Sequence, residues 1–505
     1  MSIDFIKAKN GTLTCRENSI FLHSSYAPET EAERFADNLQ IDFNPAYIVI
    51  IEPALSYSAA YLRKKYPDTK IGAVRFSDEF KKYDSNWDFV FYYDTEKDFS
   101  QEFYNFSGED GFFSTAFFTW PPSKKAYEIL DVKIWDEIRQ LSKKCQSVLA
   151  TREYFSKRWL KNKITFLSSI KRTGTISKGN SVIVVAASGP SLENAIDSIK
   201  KKRGNIFLIA VSSALSVLLY NNIVPDLCIS TDGGYWAKKH LECLFKDSNI
   251  TGQSGYSIPL ALSAESSCPK VLFNSLIIPL CYDDDYLSNL FYKKMNLKFM
   301  KGKRNGTVSG TALELALELT DNKIFFAGLD LAPASGYQHA QPNMLETGNS
   351  VHDFRLQPKE NRIGKQSLPA ASLKIYEEWF RQKSFSLNGR VFRINGTDVF
   401  KNTLGMIKDI RTDFFEMCCI EKKEKPCINI SMIKNENPDF FHNLMDDYLN
   451  TPQFLKDMFP AKNILLERAS SKKEKERIFG EIEIKKKELL EKIYGNDTTR
   501  CRASE

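Results

Sequence analysis

The sequence predicts an α/β protein: a core with a doubly wound, mostly parallel sheet, an N-terminal α/β domain and a helical C-terminal region. Three observations lead to this fold class. Short apolar runs alternate with stretches of helical period between residues 47 and 332, which is the pattern of β-α-β units. Several of the runs end in Gly, Ser, Thr or Asp where the next helix begins. Beyond about residue 413 the chain becomes charged and helical in period.

A chain of 505 residues is longer than one hydrophobic core usually needs, so we expect two or three domains. The predicted segments are an N-terminal α/β domain at 1–125, a helical bridge at 126–179, the core at 180–412 and a helical region at 413–505. In the last segment an apolar stripe that includes Ile482 predicts a helix packed on the body of the protein.

The N-terminal domain is predicted from residues 47–77. Val49, Ile50 and Ile51 form a buried strand, a helix with Leu62 on its apolar face follows, and residues 71–74 form the next strand. In the core, residues 182–187 are a strand that leads to a helix at about 190–202. The same plan recurs at 205–234 and 306–332, and "KVLFNS" (270–275) is interpreted as a further strand.

Composition and charge argue against several functional classes. The net charge of +7 is modest and no basic stripe stands out, so we expect no nucleic-acid partner. No run approaches the ~20 apolar residues of a membrane span, and the first ten residues do not resemble a signal peptide. We therefore expect a cytoplasmic protein. The ten cysteines form no CxxC pair and no Cys/His cluster occurs, so no metal site is predicted, and the acidic run 283–285 is interpreted as a solvated loop.

The tetrapeptide Ser188-Gly189-Pro190-Ser191 lies where the first core strand meets its helix. Gly189 permits a close approach to the backbone, and Pro190 suits the first position of a helix. The N–H groups of a first helical turn, if free, attract an anion. The turn is interpreted either as an ordinary tight turn or as a phosphate site.

Three further strand ends have similar polar residues. Thr231, Asp232 and Gly233 follow the strand at 227–230, and Asp232 is either a ligand-binding residue or a helix cap. The third strand end precedes a helix and includes Gly306 and Thr307. The fourth is followed by Asp330 and, nine residues later, His339. In open α/β sheets ligands bind at the carboxyl ends of strands, so these positions are predicted to form one site.

The motifs "AASGPSLENAI", "NNIVPDLCISTDGG", "RNGTVSGTALELALEL", "FFAGLDLA" and "SLKIYEEWF…RVFRINGT" occur in an order that resembles the bacterial motility-associated-factor proteins. The resemblance covers about residues 20–410. It implies an MptE-like core, similar to that of bacterial CMP-sialyltransferases. The implied reaction transfers a nonulosonic acid, of pseudaminic or legionaminic type, from its CMP conjugate to Ser or Thr of flagellin without a cofactor.

The resemblance also implies roles for individual residues. The candidate nucleotide-binding residues are Ser188, Gly189, Pro190, Ser191, Thr231, Gly233, Gly306 and Thr307. The candidate bases are Asp232, Asp330 and His339, and neither the sequence nor the resemblance chooses among them.

The chain departs from the family at positions where the family often has glycine: Ala187 in the core, and Glu52, Ala54 and Ser56 in the N-terminal domain. Two alternatives stay open. One is a pterin-type diphosphokinase that uses ATP and Mg²⁺, with carboxylates such as Asp232 holding the metal. The other is a flagellin-binding assembly factor without catalytic activity.

Overall fold

The computed structural model describes residues 3–95, 98–245, 257–332, 337–359, 371–395, 402–433 and 439–494. The chain divides into two compact units. One comprises Met1–Ser156 and Thr451–Glu505, and the other comprises Lys157–Asn450. None of the helices within the described ranges is both long and apolar enough to cross a bilayer.

The first unit begins with a small antiparallel sheet and continues with a parallel one. The antiparallel sheet has the strands β1 (Ile3–Lys7), β2 (Leu13–Glu17) and β3 (Ile20–Phe21). The parallel sheet, in the spatial order β6-β5-β4-β7, has the strands β4 (Tyr47–Ile51), β5 (Lys70–Arg75), β6 (Phe89–Tyr92) and β7 (Thr115–Thr119). The helices before residue 156 are α1 (Pro28–Asn38), α2 (Ser58–Lys65), α3 (Phe99–Phe113), α4 (Pro121–Ala126) and the first part of α5 (Glu128–Ser169). A 3₁₀ helix at Asp78–Asn86 precedes β6.

Strand β4 is apolar throughout because both faces of its sheet are covered. Ile48 and Ile50 pack with α1 and α2 on one face, and Val49 and Ile51 pack with α3 and α5 on the other. Successive side chains of a strand point to opposite faces, so a strand buried on both sides is apolar at every position.

The C-terminal part of the first unit is helical. Its helices are α15 (Pro452–Met458), α16 (Pro460–Arg468) and α17 (Lys472–Tyr494). Ile478, Ile482 and Leu489 of α17 are buried, and α17 packs on α16. The apolar stripe of this segment is thus covered within its own unit.

The second unit is built on an eleven-stranded sheet. Ten strands follow the order β17-β16-β15-β9-β10-β11-β12-β13-β8-β18, and β14 pairs with β13. All pairs are parallel except that of β18 with β8. The strands are β8 (Arg172–Ser177), β9 (Val182–Ala186), β10 (Ile206–Val211), β11 (Leu227–Ser230), β12 (Leu260–Ser263), β13 (Leu276–Tyr282), β14 (Met300–Gly302), β15 (Ile324–Ala327), β16 (Val391–Ile394), β17 (Lys408–Ile410) and β18 (Cys427–Met432).

Helices connect most of these strands. Besides the end of α5 they are α6 (Leu192–Lys202), α7 (Leu215–Tyr220), α8 (Tyr235–His240), α9 (Tyr286–Lys294), α10 (Val308–Leu319), α11 (Met344–Ser350), α12 (Ala371–Lys383), α13 (Thr412–Cys418) and α14 (Phe440–Leu449). Short 3₁₀ helices lie at Ser212–Ala214, Leu241–Leu244, Lys270–Asn274 and Ser384–Leu387.

The predicted fold class is confirmed: a doubly wound, mostly parallel sheet with a second α/β unit and C-terminal helices. Two local predictions were wrong. Residues 270–274 form a 3₁₀ helix and the strand follows at Leu276–Tyr282, and α6 begins at Leu192, two residues after Pro190. The compact units also group the chain differently from the predicted segments, because the bridge divides after Ser156 and the C-terminal region divides after Asn450.

Candidate active site

The direction in which the chain adds strands to the eleven-stranded sheet reverses between the neighbouring strands β9 and β15. From β9 the chain adds β10, β11, β12 and β13 on one side, and it then returns to place β15, β16 and β17 on the other side. The crevice outside the carboxyl ends of the strands at such a switch point is where open α/β sheets bind ligands. Residues 188–191 follow β9 and residues 328–330 follow β15, so two of the predicted strand ends meet there.

Asp330 and Ser191 join the two strand ends. Asp330 Oδ2 accepts the N–H of Ser191 at 2.7 Å, and Oδ1 accepts the Ser191 hydroxyl. The N–H of Gly189 donates to the carbonyl of Gly328 at 2.8 Å. Asp330 is only 4% exposed; burial raises the pKa of its carboxyl group, while the hydrogen bonds from Ser191 act to lower it.

These contacts occupy the start of α6. Ser191 donates its N–H to Asp330, and Leu192 and Glu193 donate theirs to carbonyl groups of the same turn at 3.0 and 3.2 Å. The free N–H groups expected at this turn are therefore already bonded within the chain. The carboxylate of Asp330 lies where an anion would meet this helix.

His339 lies in a loop that rests on the same turn. The N–H of Ala340 donates to the carbonyl of Ser188 at 2.9 Å. The hydroxyl of Ser213, in the 3₁₀ helix that follows β10, donates to the Ser188 hydroxyl at 2.9 Å. The N–H of Gln341 donates to Glu193 Oε1 at 2.8 Å. The structure thus brings Ser188 and His339 to the switch point together.

The carboxylate of Glu346 orients His339. One oxygen, Oε1, accepts the N–H groups of Gln338 at 2.9 Å and of His339 at 3.2 Å, and it lies 3.1 Å from His339 Nδ1. Because an ionised carboxylate only accepts hydrogen bonds, Nδ1 is the nitrogen that donates to Glu346, and the neutral ring then has its lone pair on Nε2. The His339 side chain is 24% exposed and that of Glu346 is 7% exposed. The pair has the arrangement of a general base and its orienting carboxylate.

A second histidine lies close by. His240, the last residue of α8, is buried. Burial, with a smaller effect from His339, lowers its pKa to about 4. His240 is therefore neutral near pH 7.

The start of α10 differs from that of α6. Gly306 has φ +72, and Thr307 precedes the helix without a side-chain cap. Among the described residues, no acceptor receives the N–H groups of Val308, Ser309 or Gly310. Because β14 runs parallel to β13, this helix start lies at the carboxyl edge of the sheet. Both helix starts contain candidate nucleotide-binding residues, and within the described part of the chain the start of α10 is the one of the two with free N–H donors.

Residues 157–336 match the family described as 6-hydroxymethylpterin diphosphokinase MptE-like. This stretch lies within the second unit and is here named the MptE-like domain after the family that it matches. The predicted MptE-like core is thus confirmed over these residues.

Two further comparisons extend beyond the domain. A protein of Treponema pallidum (strain Nichols), named only "Uncharacterized protein", is 32% identical over 266 residues, 53% of this chain and 56% of its own length. The chain therefore matches about half of that relative. A solved structure, "Structure of MAf glycosyltransferase from Magnetospirillum magneticum AMB-1", aligns with a TM-score of 0.50 at 13% identity over 92% of this chain and 82% of the other. This likeness shows that the fold is shared.

Thr231 and Gly233 lie just after β11, two strands away from β9 along the same edge of the sheet. Burial raises the pKa of Tyr282 to about 12, and interactions that include a hydrogen bond with Thr231 act to lower it. A Cβ atom at Gly233 would lie 2.8 Å from the ring of Trp159 and 3.0 Å from the carbonyl of Glu265. The need for glycine at this position thus comes from the packing of Trp159.

A charged cluster that the sequence did not predict lies beside Thr231. Arg304 donates to both carboxylate oxygens of Glu265 at 2.7 and 2.8 Å and to Asp284 at 2.7 Å. Lys163 lies 3.2 Å from Glu265 and 2.8 Å from Asp285. Burial acts to raise the pKa of Glu265, but Lys163 and Arg304 lower it to about 2. Asp285 is buried, so the interpretation of 283–285 as a solvated loop was wrong for this residue.

Asp232 is exposed and stands apart from the other candidate bases. Its Oδ1 accepts the N–H of Gly234 at 2.8 Å, and its carbonyl accepts the N–H of Ser267 at 2.9 Å. The residue that precedes α8 is Gly234, so Asp232 closes the turn before the helix and is not the helix cap. Within the described residues, no three His, Cys, Asp or Glu side chains are grouped as a metal site would require.

Proposed function

We propose that the MptE-like domain is a glycosyltransferase whose general base is His339. The oriented pair of His339 and Glu346 at the switch point carries this proposal. Of the three candidate bases, Asp330 is buried and bonded to Ser191, and Asp232 is exposed and accepts the N–H of Gly234 within its own turn. His339 alone combines a partly exposed ring with a carboxylate that fixes its tautomer.

The proposed donor is a CMP-activated nonulosonic acid and the proposed acceptor is a Ser or Thr hydroxyl of flagellin. The acceptor oxygen attacks the anomeric carbon, its proton passes to His339 Nε2, and the bond from that carbon to the phosphate oxygen breaks, so that CMP leaves with the bonding electrons. Glu346 stabilises the imidazolium that forms. This reaction needs no metal and no covalent intermediate on the enzyme.

The leaving phosphate is proposed to bind at the start of α10, next to Gly306 and Thr307. The free N–H groups there and the positive end of the helix dipole stabilise the charge that develops on the phosphate. The α6 turn then has a different role: Asp330 and Ser191 hold the ends of β9 and β15 together, and Ser188 supports the loop of His339.

Flagellin is proposed as the partner on the strength of the motif resemblance, and the fold shared with a MAf glycosyltransferase supports the class of reaction. A second candidate is a diphosphokinase, which the description of the matched family favours. It would transfer diphosphate from ATP and use Mg²⁺, with Asp232 as a candidate ligand. The third candidate, a non-catalytic assembly factor, would bind flagellin without a nucleotide.

The test is transfer of sugar to purified flagellin, measured by intact mass. The full chain is incubated with CMP-pseudaminic or CMP-legionaminic acid, with and without EDTA. We expect a mass increase of one nonulosonic acid residue per modified site, unaffected by EDTA. His339→Asn should lower the rate by roughly 10²-fold or more, whereas His352→Asn, at an exposed position, should leave it unchanged.

The alternatives give other results. Calorimetry that detects ATP binding with Mg²⁺ but no CMP binding would favour the diphosphokinase. Flagellin capture without binding of either nucleotide would favour the assembly factor. Equal rates for wild type and His339→Asn would refute the role of His339.

A further inference from the structure

The first unit has a switch point of its own. In the order β6-β5-β4-β7, the chain adds β5 and β6 on one side of β4 and then places β7 on the other side. The turn at residues 52–56 follows β4 at this reversal. It therefore lies where an open parallel sheet binds its ligand.

The backbone of this turn is unusual. Glu52, Ala54 and Ser56 have φ values of 43, 44 and 64, in the left-handed region that residues other than glycine seldom adopt. Three such residues at alternate positions are retained only where surrounding contacts fix them. The contacts here converge on the side chain of Glu52.

The Glu52 carboxylate is fully buried. The groups that surround it are hydrogen-bond donors of the kind that bind anions in proteins. It accepts the N–H of Ala54 at 3.1 Å and that of Phe76 at 2.6 Å. The guanidinium of the equally buried Arg75 lies 3.5 Å away and also donates to the carbonyl of Ala54 at 2.8 Å and to the Ser56 hydroxyl at 2.7 Å. Backbone N–H groups and a guanidinium are the donors that proteins use for phosphate oxygens.

We propose that the 52–56 turn is an oxyanion-binding site whose anion is the chain's own Glu52 carboxylate. The native first unit then binds no phosphate at its switch point, and nucleotide binding is confined to the second unit. A cavity of ≈ 410 Å³, lined in part by Arg75 and Phe76, adjoins the site. Removing the carboxylate should leave the N–H groups of Ala54 and Phe76 and the Arg75 guanidinium to inorganic phosphate.

The test variant is Glu52→Gly in the full chain, because glycine adopts the observed backbone without strain. Bound [³²P]phosphate is counted by equilibrium dialysis, and the melting midpoint is followed with phosphate or with chloride at equal ionic strength. We expect one additional phosphate per chain relative to wild type, and a phosphate-dependent rise of the midpoint that wild type does not show.

The matched control is Glu17→Ala. Glu17 is another buried carboxylate of the first unit, and it accepts the Tyr127 hydroxyl at 2.9 Å. This variant loses a buried carboxylate too, but it should gain no bound phosphate. If Glu52→Gly is folded and binds no more phosphate than wild type, Glu52 is an ordinary ion-pair residue and the proposal fails.

A second outcome is predicted if Glu52→Gly does not fold in buffer without phosphate. Phosphate, and not chloride, should then restore the native circular dichroism of Glu52→Gly, because phosphate replaces the missing anion. If an unfolded Glu52→Gly is not restored by phosphate, the proposal is refuted as well.

Discussion

A substitution at Gly189 tests whether contacts within the chain, and not a bound ligand, fill the space beside the 188–191 turn. An added Cβ atom would lie 2.5 Å from Asp330 Oδ2 and 2.5 Å from the carbonyl oxygen of Gly328. One of these is backbone at the end of a neighbouring strand and the other is a buried carboxylate, so neither can move freely. Gly189→Ala should therefore separate the ends of β9 and β15 and weaken the bonds between Asp330 and Ser191.

The size of the effect follows from these contacts. Overpacking of this kind costs about 1–3 kcal/mol, and a buried polar group left without its partner adds about 1–3 kcal/mol. We expect a loss of about 3 kcal/mol in the free energy of unfolding. The second unit, Lys157–Asn450, gains about 0.6 kcal/mol/K of entropy on unfolding, so this loss lowers its melting midpoint by roughly 5 °C.

Urea unfolding followed by circular dichroism measures the change, with Gly204→Ala as the matched control. Gly204 lies just after α6, and an added Cβ atom there meets no atom within 4 Å, so the change should stay within about 0.5 kcal/mol. If Gly189→Ala is as stable as Gly204→Ala but loses affinity for CMP, a ligand and not Asp330 occupies the space beside Gly189, and the predicted loss of stability is refuted. Any nucleotide-binding measurement on a Gly189 variant therefore needs the folded fraction measured beside it.

Three further predictions concern titratable side chains of the second unit. Burial lowers the pKa of His240 to about 4 in the folded chain, from the ordinary histidine value of about 6.5, so this contribution to stability is complete above pH 6.5 and roughly 3 kcal/mol is lost as the pH falls to 4. His240→Asn should flatten the pH dependence of the melting midpoint over this window, and an unchanged slope would contradict the assignment. Lys163→Met leaves two buried carboxylates without their ammonium group and should cost about 3–5 kcal/mol in urea unfolding, whereas Lys161→Met, at an exposed position of the same helix, should cost almost nothing. Glu346→Gln should lower the transfer rate at saturating substrate by at least roughly tenfold and shift the acidic limb of its pH profile, and a rate loss without a shift would assign Glu346 a structural role only.

The alternation of strands and helices could be predicted because it depends on the local spacing of apolar residues along the chain. Val49, Ile50 and Ile51 are consecutive apolar residues, and β4 is indeed buried on both faces. The interpretation of residues 270–275 failed for a related reason: a short apolar run does not distinguish a strand from a 3₁₀ turn, and Val271 is exposed. The local pattern of apolar residues was enough to predict most strands and helices, and it was least reliable for the shortest apolar runs.

The pairing of strand ends could not be read from the sequence, because it depends on the order of strands in the sheet. Ser191 and Asp330 are 139 residues apart and meet only because β9 and β15 are neighbours. Gly189 was correctly singled out as a position of close approach, but the sequence could not say that the approaching group is a side chain of the same protein.

The same limit applies to the site as a whole. The sequence by itself determined which strand ends are polar and that His339 follows the last of them. Only the tertiary structure decided that Glu346 orients His339, that Arg304 and Lys163 surround Glu265, and that α10 retains free N–H groups. Hydrogen bonds and ion pairs act over about 3 Å in space, whatever the separation along the chain, so residues that make a site carry no shared signal in the sequence until the fold has brought them together.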